Sequence, residues 1–140
     1  MTQTAGLTRP FTGTEYIESL RDGREIYIYG ERVKDVTTHP GLRNGARAIA
    51  SLYDMQADPQ LRDEMTYISP TTGDRVGLSF IIPRTLDELE RRRTMMLHWA
   101  RTTCGMMGRS PDFMNVSYAA WAAAADFFAR NRPEFGNNVR

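Results

Sequence analysis

Residues Gly105-Met106-Met107-Gly108-Arg109-Ser110-Pro111-Asp112-Phe113 carry the pattern best suited to chemistry in this chain. Two glycines loosen the backbone around two large apolar side chains. Arg109 follows, and then a helix start written as Ser-Pro-Asp. Ser110 is a good N-cap, Pro111 fits the first helical position, and Asp112 suits the positive end of the helix dipole. Arg109 therefore falls on a short loop just before a helix whose first amides are unpaired, a place to meet an anionic or polarised ligand. The same pattern also reads as an ordinary capped corner between two helices.

Other reactive side chains are few. His39 precedes Pro40 at a helix start, where a structural or capping role is the default. His98 lies between Leu97 and Trp99 on a long helix and reads as semi-buried and hydrogen-bonded. Cys104 is the single cysteine, so no internal disulfide and no cysteine cluster for zinc or iron–sulfur can form. It reads as a small buried residue rather than a nucleophile. Met95, Met96, Met106 and Met107 read as packing. No histidine or carboxylate spacing suits a metal, and no glycine-rich phosphate loop occurs. The expected metal set is none.

Composition narrows the partners. The 140 residues fit one domain with a real core, at 41% apolar and 25% charged. A formal charge of +1 gives no reason to expect nucleic acid or an anionic membrane. The first twelve residues contain no signal-peptide core, and 116–129 is too short for a membrane span. A reducing, cytoplasmic setting is expected.

The elements that position the corner follow from local pattern. Residues 1–11 read as a flexible arm and 12–140 as one domain, incomplete at its C-terminal end. Thr12-Gly13-Thr14-Glu15 is a capping box, and the helix after it carries Tyr16, Ile17 and Leu20 on one face. Glu25 to Tyr29 and Arg32 to Val36 form a hairpin around Gly30-Glu31. A helix opening at Thr38-His39-Pro40 buries Leu42, Ala46, Ile49 and Tyr53, with Gly45 marking a possible close contact. Gln60 to Glu64 adds a turn. Met65 to Ile68 and Arg75 to Ile82 form a second hairpin. Thr85-Leu86-Asp87-Glu88 is another capping box and opens the strongest helix. Leu86, Leu89, Met96, Leu97 and Ala100 mark its inner face. Asp87–Arg91 and Glu88–Arg92 pair outside, and Arg91-Arg92-Arg93 is solvated. Ser110 to Arg130 forms one long alanine-rich helix, and Arg132-Pro133 breaks it. The fold class is mainly α with two small β-hairpins.

The run from Thr12 to Pro40, TGTEYIESLRDGREIYIYGERVKDVTTHP, resembles the opening of the 4-hydroxyphenylacetate 3-monooxygenase oxygenase family. Gly105-Met-Met-Gly-Arg-Ser-Pro-Asp112 resembles that family's second landmark. The resemblance runs from about Phe11 to Arg140 without a large gap.

The resemblance implies the N-terminal helical domain of an acyl-CoA dehydrogenase-like fold. It implies a two-component flavin monooxygenase, in which a separate flavin reductase supplies reduced FAD. Dioxygen then provides the oxygen placed ortho to a phenol hydroxyl. It also implies a homo-oligomer for the complete subunit. Most FAD contacts belong to parts beyond this chain, so its cofactor-binding residues are unknown. The family's active-site arginine matches Arg109, where a guanidinium stabilises phenolate or peroxide charge. The family's nearby tyrosine falls at Phe113, which lacks the hydroxyl, and Cys104 replaces a common aromatic residue. Another phenol or a heteroaromatic acid is then as admissible as 4-hydroxyphenylacetate. A related branch, the 4-hydroxybutyryl-CoA dehydratases, holds an iron–sulfur cluster with cysteines that this chain lacks. The reading from a different class is a catalytically inactive truncated domain that serves only as a packing or oligomerisation module. An exposed alanine-rich helix face with Trp121 and Phe128 would favour it.

Overall fold

The computed structural model describes residues 9–105 and 111–139, and for 111–113 the backbone alone. Residues 1–8 of the expected arm lie outside the described residues. The chain forms two compact units, 1–76 and 77–140.

In the first unit, helix α1 (Gly13–Ser19) starts on the predicted capping box. Thr12 Oγ1 accepts from the Glu15 N–H, and the Glu15 carboxylate accepts from the Thr12 N–H at 2.7 Å. Arg9 closes on the same carboxylate with two contacts of 2.9 Å. Helix α2 (Arg43–Ala57) is the partner of α1. Tyr16 and Tyr53 stack with centroids 4.8 Å apart, and Phe11 tilts against Tyr53 at 6.4 Å. Burial pushes both tyrosine hydroxyls above their usual range.

The hairpin pairs β1 (Ile26–Ile28) with β2 (Glu31–Val33), Ile28 facing Glu31. The two turn residues are therefore Tyr29 and Gly30, one position before the expected pair. Both have positive φ, 51° and 84°, as this class of tight hairpin turn requires. A tyrosine is an unusual choice there, which is why the pattern misplaces the turn. Helix α2 also starts later than expected. His39 and its neighbours form turns, and the His39 carbonyl accepts from the N–H groups of Leu42 and Arg43. His39 Nδ1 accepts from the Gly41 N–H at 3.1 Å, a local structural role. The buried residues of α2 are Ala46, Ala50, Leu52 and Gln56. Gly45 faces open space, so it marks no close contact. A one-turn helix α3 (Arg62–Met65) leads into β3 (Thr66–Ile68), which pairs with β4 (Arg75–Gly77). Val33, Leu52 and Met65 are the main buried side chains of this unit.

In the second unit, a 3-10 turn, Leu78–Phe80, replaces the expected continuation of the strand to Ile82. Helix α4 (Leu86–Thr102) starts on its predicted capping box. Its buried face is Arg92, Met95 and Trp99, whereas Leu86, Leu89 and Leu97 are exposed. The expected face is thus rotated. The cause is Arg92, whose long aliphatic stem buries like a hydrophobe although its head reads as polar. The expected solvated arginine run fails at that central residue. Its neighbours Arg91 and Arg93 are exposed. The Glu88 carboxylate accepts from the N–H groups of Arg84 and Thr85, and these hydrogen bonds, that of Arg84 first, hold its pKa below the usual range.

Helix α5 (Pro111–Ala123) and helix α6 (Ala125–Ala129) replace the single long helix. Ala124 breaks it with φ −98° and ψ 17°. Alanine is a strong helix former, so its own propensity does not account for this boundary. Helix α7 (Pro133–Asn138) has its proline in the first turn, as the Arg132-Pro133 pair predicts. It packs on α6 through Gly136, where an added Cβ would lie 2.8 Å from Ala129 Cβ and 2.9 Å from the Ala125 carbonyl. No helix among the described residues is long and apolar enough to cross a membrane.

Candidate functional site

The corner between α4 and α5 begins with a defined helix stop. The Gly105 N–H donates to the Ala100 carbonyl at 2.7 Å, and the Thr103 N–H donates to the Trp99 carbonyl at 2.9 Å. Cys104 and Gly105 both take positive φ, 53° and 80°. The bond from Gly105 to Ala100 spans five residues, as in a Schellman stop, with Cys104 where glycine is usual. Cys104 is exposed, not buried as expected, because the left-handed backbone turns it out of the helix end.

Arg109 lies outside the described residues. Phe113 falls within the first turn of α5, and its side chain lies outside them too. What the structure does fix is the frame around this segment. Arg92 Nη1 donates to the Ile81 carbonyl at 2.8 Å, in a buried contact. Asn115 Nδ2 donates to Ser79 Oγ at 2.8 Å. Two adjacent stretches of the second unit thus hold both helices that flank the corner. Sequence reasoning missed Arg92, Ser79 and Asn115. Asn115 had one usable signal, an amide one turn into an otherwise apolar helix.

Beside this frame, α4, α5 and the segment between the 3-10 turn and α4 enclose an apolar groove of about 240 Å³. Ile82, Pro83, Leu89, Val116 and Ala120 line it, with Arg92 at the wall. Its volume falls below the roughly 300–1,000 Å³ usual for pockets that bury a drug-sized ligand. A flavin dinucleotide is larger than such a ligand, so the groove alone does not fit FAD. The first unit has a cleft of about 260 Å³ bounded by Leu20, Arg21, Arg24, Val33 and Asp35. Two of its cations are matched, Arg21 with Glu18 and Asp35 and Arg24 with Asp22, and Lys34 also lines it. That pairing holds the Asp22 carboxyl down at about 2, chiefly through the hydrogen bond from Arg24.

Known proteins place this frame in a family. The family described as 4-hydroxyphenylacetate 3-hydroxylase N terminal matches residues 12–140. The chain is 48% identical over 130 residues to the 4-hydroxyphenylacetate 3-monooxygenase oxygenase component of Geobacillus sp. (strain PA-9), covering 92% of this chain and 26% of that protein. It is 42% identical over 137 residues to the protein of the same name from Escherichia coli, covering 97% of this chain and 26% of that one. It thus spans about a quarter of the length of the curated relatives it matches. A crystal structure of such an oxygenase component, complexed with FAD and 4-hydroxyphenylacetate, superposes with a TM-score of 0.83 at 46% identity, over 93% of this chain and 26% of that one. An archaeal 4-hydroxybutyryl-CoA dehydratase from N. maritimus shares the fold at a TM-score of 0.73 and 23% identity, over 91% of this chain and 26% of that one. The helix-rich, acyl-CoA dehydrogenase-like architecture with two small hairpins is the fold of these neighbours. The capping boxes, the hairpin and the α4–α5 corner read from the sequence are accordingly those of a chain that belongs to the 4-hydroxyphenylacetate 3-hydroxylase family, in its N-terminal region.

Proposed function

We propose that this chain is the N-terminal part of the oxygenase component of a two-component monooxygenase that hydroxylates a phenol ortho to its hydroxyl. The observation that carries this reading is 48% identity across 130 residues to a relative of that name. The likeness to a solved oxygenase complexed with FAD and 4-hydroxyphenylacetate supports it. Residues 12–140 form the N-terminal domain of that subunit, and residues elsewhere in the subunit complete the flavin site. Reduced FAD, delivered by a separate reductase, supplies the activation of dioxygen when bound.

The part played by this chain is binding and charge. Arg109 serves as the cation that stabilises the negative charge growing on the phenol oxygen during hydroxylation. Phe113 is the second substrate-binding position, and it offers no hydroxyl where family members carry a tyrosine. The substrate is a 4-hydroxyphenylacetate-like phenol. The complete subunit is a cytoplasmic homo-oligomer. Of the expected pair, Trp121 is exposed at 46% and Phe128 is half-buried, while its neighbour Phe127 is exposed at 65%, which fits a domain that packs against more protein. That observation also favours the alternative reading, a packing module without activity of its own.

The test is Arg109→Ala in the complete subunit. Hydroxylation falls by about a hundredfold, the loss typical of removing one such charge-stabilising group. The melting temperature stays near wild type. Activity near wild type would remove Arg109 from this role.

A further inference from the structure

We infer that α5 is a buried central helix of the complete subunit, enclosed on two opposite faces by parts of that subunit outside this chain. The inference rests on the proposed reading of the chain as one part of a longer oxygenase subunit.

The sequence of α5 suits burial on every side. From Phe113 to Ala125 no residue carries a charge. A helix that is apolar all round belongs in an interior rather than on a surface. The described residues give α5 no such interior. Asn115 meets Ser79 of the 3-10 turn, and that side of the helix is held. Met114, Tyr118 and Trp121 recur at spacings of four and three and share one face. Val116, Ala120 and Ala123 recur at the same spacings and share another. At about 100° per residue, the two faces point in opposite directions. All six residues are exposed. Tyr118 and Trp121 meet edge to face with centroids 5.7 Å apart, so the first face carries one joined aromatic surface. The second face lines the open apolar groove together with Pro83 and Leu89. A spacing of four and three is the repeat by which one helix packs along another.

Geometry and length together name the occupant. A second copy meeting α5 across a two-fold axis covers one face and leaves the opposite one in water. Two opposite faces call for two separate segments. The chain spans 26% of a relative that it matches at 48% identity, so the greater part of such a subunit lies outside it. Covering these side chains with packed neighbours gains about 25 cal/mol for each Å² of apolar surface removed from water.

The experiment uses the complete wild-type subunit without flavin or substrate. Hydroxyl-radical footprinting, read by peptide mass spectrometry, follows Met114, Tyr118 and Trp121 on one face and Val116 on the other. Each is compared with the same residue in the urea-unfolded subunit. All four oxidise at least about tenfold more slowly in the folded subunit. The alanines are read by Ala120→Cys, which alkylates at least about a hundredfold more slowly folded than unfolded. If that variant does not fold, Val116 in the wild type decides for its face. Smaller protection on either face overturns the inference. Protection that is lost when the subunit is diluted to a monomer also overturns it, because a second copy is then what covers the helix. The same preparation, given reduced FAD, dioxygen and a panel of phenols, tests the proposed function separately. Full protection without hydroxylation overturns that function alone, and hydroxylation with either face exposed overturns this inference alone.

Discussion

The Gly13 N–H donates to Asp54 Oδ1 at 2.7 Å, so a carboxylate on α2 caps the first turn of α1. A Cβ at residue 13 would lie 2.5 Å from Asp54 Oδ2 and 2.6 Å from the Ala50 carbonyl. The side chain of Asp54 can swing away, but the backbone carbonyl cannot. Gly13→Ala therefore both strains the α1–α2 contact and displaces its cap. The expected loss is about 1–3 kcal/mol, the usual range for overpacking a close contact. Urea unfolding of the chain measures it. Unchanged stability would mean that α1 does not approach α2 this closely.

The cap at Glu15 makes α1 sensitive to acid. Arg9 first, and then Thr12, hold the Glu15 carboxyl down at about 2. A depressed folded pKa means stability that is present above the unfolded value of about 4.3 and is lost as pH falls toward 2. Melting temperatures recorded from pH 5 to pH 2 should fall for wild type and fall less steeply for Glu15→Gln. Parallel curves would contradict the ion pair.

Arg92 and Arg93 are adjacent in sequence and opposite in environment. Arg92 is 6% exposed and bonds the Ile81 carbonyl, whereas Arg93 faces solvent. Arg92→Ala should cost about 1.5–3 kcal/mol, the worth of a hydrogen bond from a charged donor. Arg93→Ala should stay within about 0.5 kcal/mol of wild type. Chemical denaturation of the two variants side by side reads the difference, and equal losses would refute the buried placement.

The 140-residue chain alone should hydroxylate no phenol and bind FAD at most weakly. Among the described residues the groove beside α5, of about 240 Å³, lies below the usual range for a drug-sized ligand, and the chain spans about a quarter of the length of its relatives. Equilibrium titration of the chain with reduced and oxidised FAD checks this. Tight one-to-one binding would show that the flavin site lies within these residues.

The sequence displayed the local signals well and the packing poorly. Both capping boxes, Thr12 with Glu15 and Thr85 with Glu88, stand where their spacing puts them, because a cap depends on residues within one turn. The hairpin of β1 and β2 is present, yet its turn is shifted because Tyr29 takes a backbone conformation that its type disfavours. The buried face of α4 was hidden because Arg92 counts as polar in any periodicity and is buried by its stem. The interruption at Ala124 has no local signal at all. Gly45 and Gly13 look alike in sequence, but only Gly13 meets a neighbour. The candidate corner was visible as a capped loop, while its chemistry came from the family resemblance carried by Arg109 and its neighbours. The bonds from Asn115 and Arg92 join residues 36 and 11 positions apart, which no local pattern reveals.

The central claim is that this chain belongs to an oxygenase that inserts one atom of dioxygen into a phenol. The most direct measurement incubates the complete subunit with reduced FAD, a panel of phenols and isotopically labelled dioxygen, and analyses the products by mass spectrometry. The account predicts an ortho-hydroxylated phenol carrying one labelled oxygen atom. Consumption of reduced flavin and dioxygen without label in any phenol would contradict it.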